Sequence, residues 1–133
     1  MDITSQTTYD LIGGERSLQQ LVEAFYPKVY SDPLLSPLFN GDMNEIMRKQ
    51  KMFLTQLLGG PPLYSREFGP PAMRARHMPF EITPVRAQAW LRCMREALDE
   101  VEMDGTIREL FFARLSQIAG IMVNASDKNE RED

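Results

Sequence analysis

The chain has 133 residues, 43% of them hydrophobic and 26% charged, the balance of one ordinary globular domain with enough apolar material for a core. A net charge of −4 provides no basic field to draw nucleic acid, so no nucleic-acid partner is expected. One cysteine cannot close an internal disulfide, Met1-Asp-Ile-Thr-Ser-Gln6 is not a basic–apolar leader, and no apolar run reaches spanning length; the expected address is the cytoplasm, without membrane contact.

The periodicity is helical from end to end. Tyr9-Asp-Leu-Ile-Gly-Gly14 reads as one helical turn closed by glycines. Residues 15–31 place Leu18, Leu21, Val22, Phe25 and Val29 on one face, and Pro27 removes one backbone donor, which predicts a bend. Asp32-Pro33 restarts the chain as a capped turn. Asp42 and Glu45 have capping-box spacing and open a helix over 43–58 whose stripe is Ile46, Phe53, Leu54 and Leu57. Gly59-Gly60-Pro61-Pro62 ends it. The Gly- and Pro-rich stretch to about Pro70 reads as a loop, and a loop of that length implies a task such as wrapping a ligand. Pro71 opens a short helix ending at His77, and Pro79 limits its continuation. Thr83-Pro84 is a second cap-plus-proline start; its helix carries Trp90, Cys93, Met94, Ala97, Leu98 and Val101 on an apolar face. Asp104-Gly105-Thr106 breaks that helix before a last one with Ile107, Leu110, Phe111, Leu115, Ile118 and Met122. Residues 124–133 are polar and expected to fray. No repeat, domain boundary or period-two strand shows, so residues 1–133 are expected to form a single all-α domain.

His77 is the only histidine. That excludes zinc sites built on two or three histidines, and a His–Cys nucleophilic pair would need Cys93, on what reads as a buried helix face. One imidazole is enough to be the sole protein ligand of a haem iron, leaving the opposite face open for a gas. A surface or capping histidine is the plainer alternative. Gln50 is the other unusual residue. Positions 46, 50, 53, 54 and 57 share one helix face and only 50 is polar. A buried amide is costly without a partner, which is a backbone group on the plain reading and a ligand, Tyr26 or a pocket water on the other. Helices flanking a long loop suggest a cofactor between them, but helical packing does not name it.

Several stretches carry a resemblance: Phe25-Tyr26, Phe53-Leu-Thr-Gln-Leu-Leu-Gly-Gly-Pro-Pro62, Leu63-Tyr-Ser65, Met73-Arg-Ala-Arg-His-Met-Pro-Phe80 and Ala89-Trp-Leu-Arg-Cys-Met94. With the pairs Gly13-Gly14 and Gly59-Gly60, they make the chain similar to the bacterial group II truncated haemoglobins from Tyr9 to Asn124. The glycine pairs alone say little; the Arg-His-x-Pro-Phe and Ala-Trp-Leu-x-Cys-Met segments are specific. The resemblance implies a truncated globin-like two-over-two helical sandwich around haem b. The helices at 15–31 and 43–58 would cover its distal side, and those at 84–101 and 106–123 would form the other pair.

By the same resemblance His77 is the iron ligand, neutral, with its second ring nitrogen oriented by a carbonyl or water. Trp90 matches a distal-pocket tryptophan and Tyr26 a distal tyrosine, both donors toward a bound gas, though each also fits as plain core; Gln50, singled out by its spacing, would join them. Ile46 takes the gating position, where some relatives carry a small polar residue, and so contributes shape without a hydrogen bond. Phe39 stands for the aromatic against the haem plane, often tyrosine in this group. Phe53, Leu54 and Leu57 would line the pocket. Lys49, Tyr64 and Arg76 stand where relatives hold the propionates, with Arg74 ranked behind them; for Lys49 and Arg76 a solvated surface role is nearly as good an account.

The implied function is reversible binding of dioxygen, carbon monoxide or nitric oxide at five-coordinate iron, as in oxygen transport, by a monomer or weak dimer. Nitric oxide dioxygenation is the alternative. It requires a separate reductase, because 133 residues hold no flavin- or nicotinamide-binding segment. Peroxidase-like chemistry is disfavoured by the lack of a distal histidine. A haem-free helical interaction module with an acidic surface would explain the periodicity, but neither Gln50 nor the long loop ending at His77.

Overall fold

In the computed structural model, which describes residues 7–39, 41–103 and 105–126, the apolar periodicity becomes seven α-helices and one 3-10 turn, with no strand among the described residues. α1 (Thr8–Leu11) is a single turn with a reciprocal cap: Asp10 N–H donates to Thr7 Oγ1, and Thr7 N–H donates to the Asp10 carboxylate. α2 (Gly14–Ser31) runs on through Pro27 and buries Leu18, Leu21, Val22, Phe25, Tyr26 and Val29. Asp32 stops it and caps the next turn, its Oδ1 accepting from Leu34 N–H at 2.8 Å. A 3-10 turn, Ser36–Leu38, follows.

α3 (Met43–Leu57) is capped by Asp42, which accepts from Asn44 N–H at 3.0 Å. The reciprocal half of the expected capping box does not form. Glu45 instead receives both Arg48 Nε and a terminal guanidinium nitrogen, because an arginine one turn away offers a two-pronged, charge-assisted partner. The helix closes in a Schellman motif: Gly59 N–H donates to Gln56 O and Gly60 N–H to Thr55 O, with Gly59 in the left-handed region at φ 94°. Gly60 is needed for a close approach, since a Cβ there would lie 2.9 Å from Thr55 Cγ2 and 3.0 Å from Tyr9 Cδ2. α1 thus closes onto the end of α3, where Tyr9 N–H donates to Leu58 O.

The stretch expected to be all loop contains a helix, α4 (Leu63–Phe68). The breakers Pro61, Pro62 and Gly69 flank it without entering it, and Gln56 holds it, donating to Ser65 Oγ at 2.7 Å and accepting from Ser65 N–H at 2.9 Å. α5 (Met73–His77) starts after Ala72 rather than at Pro71, with Ala72 itself left-handed at φ 39°. α6 (Pro84–Glu100) begins as expected, Thr83 Oγ1 accepting from Arg86 N–H at 3.2 Å. α7 (Gly105–Met122) completes the chain of helices. The expected break at Asp104 and the tail over 127–133 lie outside the described residues. At 124 the expected fraying is corrected, for Asn124 is hydrogen-bonded to residues 77, 80 and 82. No helix among the described residues is long and apolar enough to cross a membrane.

α2 packs against both α3 and α6, α6 against α7, and α5 against α7. The shared element is therefore α2, and at its centre Phe25 is fully buried, with its ring edge-on to Tyr26 at 4.8 Å and to Trp90 at 5.0 Å. Edge-to-face pairs add roughly 0.5–1.5 kcal/mol each to the burial of the rings. Core packing thus fixes the two aromatic side chains that carry donors.

Candidate functional site: a cavity bordered by one imidazole

A cavity of about 120 Å³ lies between the helices, several times the roughly 10–15 Å³ that admits one water. Of the residues singled out in the sequence, Tyr26, Phe39, Gln50, Phe53, His77 and Trp90 line it. The rest of its wall is mostly apolar: Leu35, Leu38, Met73 and Ile82, and the inner face of α7 with Leu115, Ile118, Ala119 and Met122.

His77 ends α5, and its Nδ1 lies 2.6 Å from the Met73 carbonyl one helical turn back. A carbonyl can only accept, so Nδ1 carries the proton and Nε2 keeps its lone pair, the arrangement of an imidazole prepared to bind a metal. α5 buries no residue, and five residues are too few for a self-supporting helix. Side-chain bonds hold it instead. Arg74 donates to the carbonyls of Ile121 and Val123 at 2.7 and 2.8 Å, and Arg76 to those of Phe68, Pro70 and Pro71 at 2.7, 3.0 and 2.7 Å.

A second group of lining residues comes from three other helices. Tyr26 on α2 is 3% exposed, and burial, with a smaller contribution from Tyr30, pushes its phenol well above the usual tyrosine range. It stays a neutral O–H donor at any working pH. Gln50 on α3 and Trp90 on α6 are partly buried. None of these three side chains makes a hydrogen bond to protein among the described residues. Every sealed side-chain nitrogen or oxygen there does have a partner. Tyr26, Gln50 and Trp90 thus border an apolar cavity and can offer their donors to a ligand there.

The remaining candidates stand elsewhere. Leu54 is fully buried in the core, and Ile46 and Leu57 pack against that core rather than lining the cavity. Lys49, Tyr64 and Arg76 form a group of their own. Lys49 Nζ stands 5.3 Å from the Phe68 ring centre, Phe68 packs on Tyr64 at 4.9 Å, and the Arg76 guanidinium lies 5.3 Å over Tyr64. This group reaches the cavity through Tyr64, edge-on to Phe53 at 5.9 Å. Arg74 is engaged by α7. Cys93 is 2% exposed and burial raises its thiol, so it offers no thiolate to pair with His77. The sequence reading missed the cavity face of α7. Its i, i+3, i+4, i+7 spacing (115, 118, 119, 122) was legible as apolar but not as the wall of a void.

Among the described residues no three His, Cys, Asp or Glu side chains gather to hold a bare ion. A lone imidazole on an apolar cavity suits a metal that brings its own equatorial ligands, and nearby donors suit a polar ligand at that metal. The residues fit haem.

Comparison with known proteins points the same way. The bacterial-like globin family model matches residues 7–124. The Group 2 truncated haemoglobin YjbI of Bacillus subtilis is 54% identical over 92% of this chain and 92% of its own length. The crystal structure of the group II truncated haemoglobin from Bacillus anthracis, 52% identical, superposes with a TM-score of 0.90 over 92% of this chain and 94% of that one. A structure described as a truncated oxygen-avid haemoglobin from Bacillus subtilis, 55% identical, matches with a TM-score of 0.87 over 90% of this chain and 100% of that one.

Proposed function

Because the chain belongs to the bacterial-like globin family, as a two-over-two truncated haemoglobin of group II whose cofactor is haem, we propose that it binds dioxygen and other diatomic gases reversibly, with His77 as the iron ligand and Tyr26, Gln50 and Trp90 as donors to the gas. The observation that carries this reading is His77 itself: its ring borders the cavity while Nδ1 is committed to Met73 O at 2.6 Å. Haem, when bound, supplies a ferrous iron with one coordination position for a gas.

The protein's contribution is orientation and polarity. The Met73 carbonyl sets the tautomer of His77 and makes the imidazole a better base. Phe39 and Phe53 give the cavity apolar walls, and the low local dielectric strengthens each hydrogen bond inside it. Haem would supply the electron density that makes a held dioxygen an acceptor, and Tyr26, Gln50 and Trp90 would supply the N–H and O–H groups to meet it. The Bacillus subtilis protein is described as oxygen-avid; several donors on one apolar cavity give this chain a physical basis for the same property. Ile46, packed on the core rather than on the cavity, has no part in this reading, and the cationic group of Lys49 and Arg76 around Tyr64 is read as the contact for the carboxylates of haem.

Stopped-flow oxygen release from the wild type, Trp90→Phe and Tyr26→Phe tests the donor assignment. Each substitution keeps most of the ring and deletes the donor. A hydrogen bond in such a site is worth on the order of 1–3 kcal/mol, so each variant should release oxygen about 5- to 150-fold faster. The double variant should depart from additivity, because the donors share one acceptor. Unchanged release in both single variants would assign Tyr26 and Trp90 to the core alone.

A further inference from the structure

We infer that Asn124 is a positioning residue for His77, fixing the orientation of its imidazole from the far end of α7; the inference rests on the haem reading above. Asn124 lies just past the last residue of α7, where a polar tail has no packing reason to be ordered. Both ends of its amide are nevertheless in use. Oδ1 accepts from Ile82 N–H at 2.9 Å, and Nδ2 donates to the carbonyls of Phe80 at 2.8 Å and His77 at 3.3 Å. Its backbone N–H donates to Ile82 O at 2.9 Å. One residue thus ties the segment from His77 to Ile82 to the end of α7.

α5 cannot supply this order by itself. It is one turn long and buries none of its residues, so neither helix cooperativity nor apolar packing fixes its last residue. Arg74 and Arg76 anchor its earlier part and the approach to it. Within α5, the Met73 carbonyl holds one ring nitrogen of His77, but a ring hinged on one hydrogen bond can still swing with its peptide plane. Asn124 meets that plane from outside the helix, at the His77 carbonyl, which also accepts from Phe80 N–H at 3.0 Å. The Met73 contact thus holds the ring, and the Asn124 contact holds the backbone that carries it. The anchor is tied to the cavity too, since Ile118, Ala119 and Met122 of α7 line it.

Asn124→Ala and Asn124→Asp, prepared with haem alongside the wild type, test this. The aspartate keeps the acceptor for Ile82 N–H but loses the donors to His77 and Phe80. Two readouts are taken on the ferrous protein: the iron–imidazole stretching band by resonance Raman, and haem loss to an excess of an apoglobin acceptor. A general loss of stability would speed haem loss but leave the band position unmoved. Both variants are expected to shift and broaden the band, and Asn124→Ala to lose haem about tenfold faster, the equivalent of roughly 1.4 kcal/mol. A wild-type band in both variants, or in Asn124→Asp alone, would overturn the inference while leaving the haem reading intact. If Asn124→Ala does not fold, the Asn124→Asp band decides. A wild type that takes up no haem would overturn both readings together.

Discussion

Trp90 and His77 border the same cavity but are held there by opposite means. Trp90 sits on a 17-residue helix and leans on Phe25, a fully buried ring that also supports Tyr26. His77 sits at the end of a five-residue helix that buries nothing, and side-chain bonds to backbone carbonyls from Arg74, Arg76 and Asn124 keep that helix in place. The donor side is built from core, and its geometry costs little beyond the packing that folds the chain. The imidazole side is built from hydrogen bonds near the surface, each modest in net energy. Global stability and the setting of the imidazole should therefore respond to different substitutions.

The largest effect on global stability is expected from Phe25→Ala. Removing a buried phenylalanine costs about 3–5 kcal/mol, so the urea midpoint followed by circular dichroism should fall sharply. Tyr26 and Trp90, which lose their common support, should hold a gas less well at the same time. An unchanged midpoint would show that α2 is not the shared element of the core. Arg76→Ala should act the other way. It releases three carbonyls before α5, at residues 68, 70 and 71, but empties no core, so the urea midpoint should move far less. The amide protons of Met73–His77 should instead exchange about tenfold faster than in the wild type, the cost of roughly one good hydrogen bond. Equal exchange would show that packing alone secures the imidazole side.

The same contrast explains what could be read from the sequence. The long helices were legible because Leu18, Leu21, Val22, Phe25 and Val29, or Trp90, Cys93, Met94, Ala97 and Leu98, repeat at the helical period. Their caps at Asp42 and Thr83 followed from residue type. Which side of a stripe meets a void is not written in periodicity. Phe53 and Leu54 are neighbours on α3, yet one lines the cavity and the other is sealed in the core, because successive helical residues diverge by about 100°. α4 was hidden by the prolines and glycine around it. The partner of Glu45 depended on which of two donors came within reach, and Asn124 looked like tail because its partners lie more than 40 positions back, as the 42-residue separation from Ile82 shows. Tertiary hydrogen bonds of that range leave no local signature, and both Arg74 and His77 take part in them.

The most direct measurement is the visible absorption spectrum of the reduced protein, prepared with haem and recorded before and after carbon monoxide, for the wild type and His77→Ala. The account predicts one haem per wild-type chain, a five-coordinate spectrum that changes on adding the gas and recovers on its removal, and an altered ligand field in His77→Ala. A wild type that binds no stoichiometric haem, or a variant whose spectrum is identical to it, would contradict the assignment of His77 as the iron ligand.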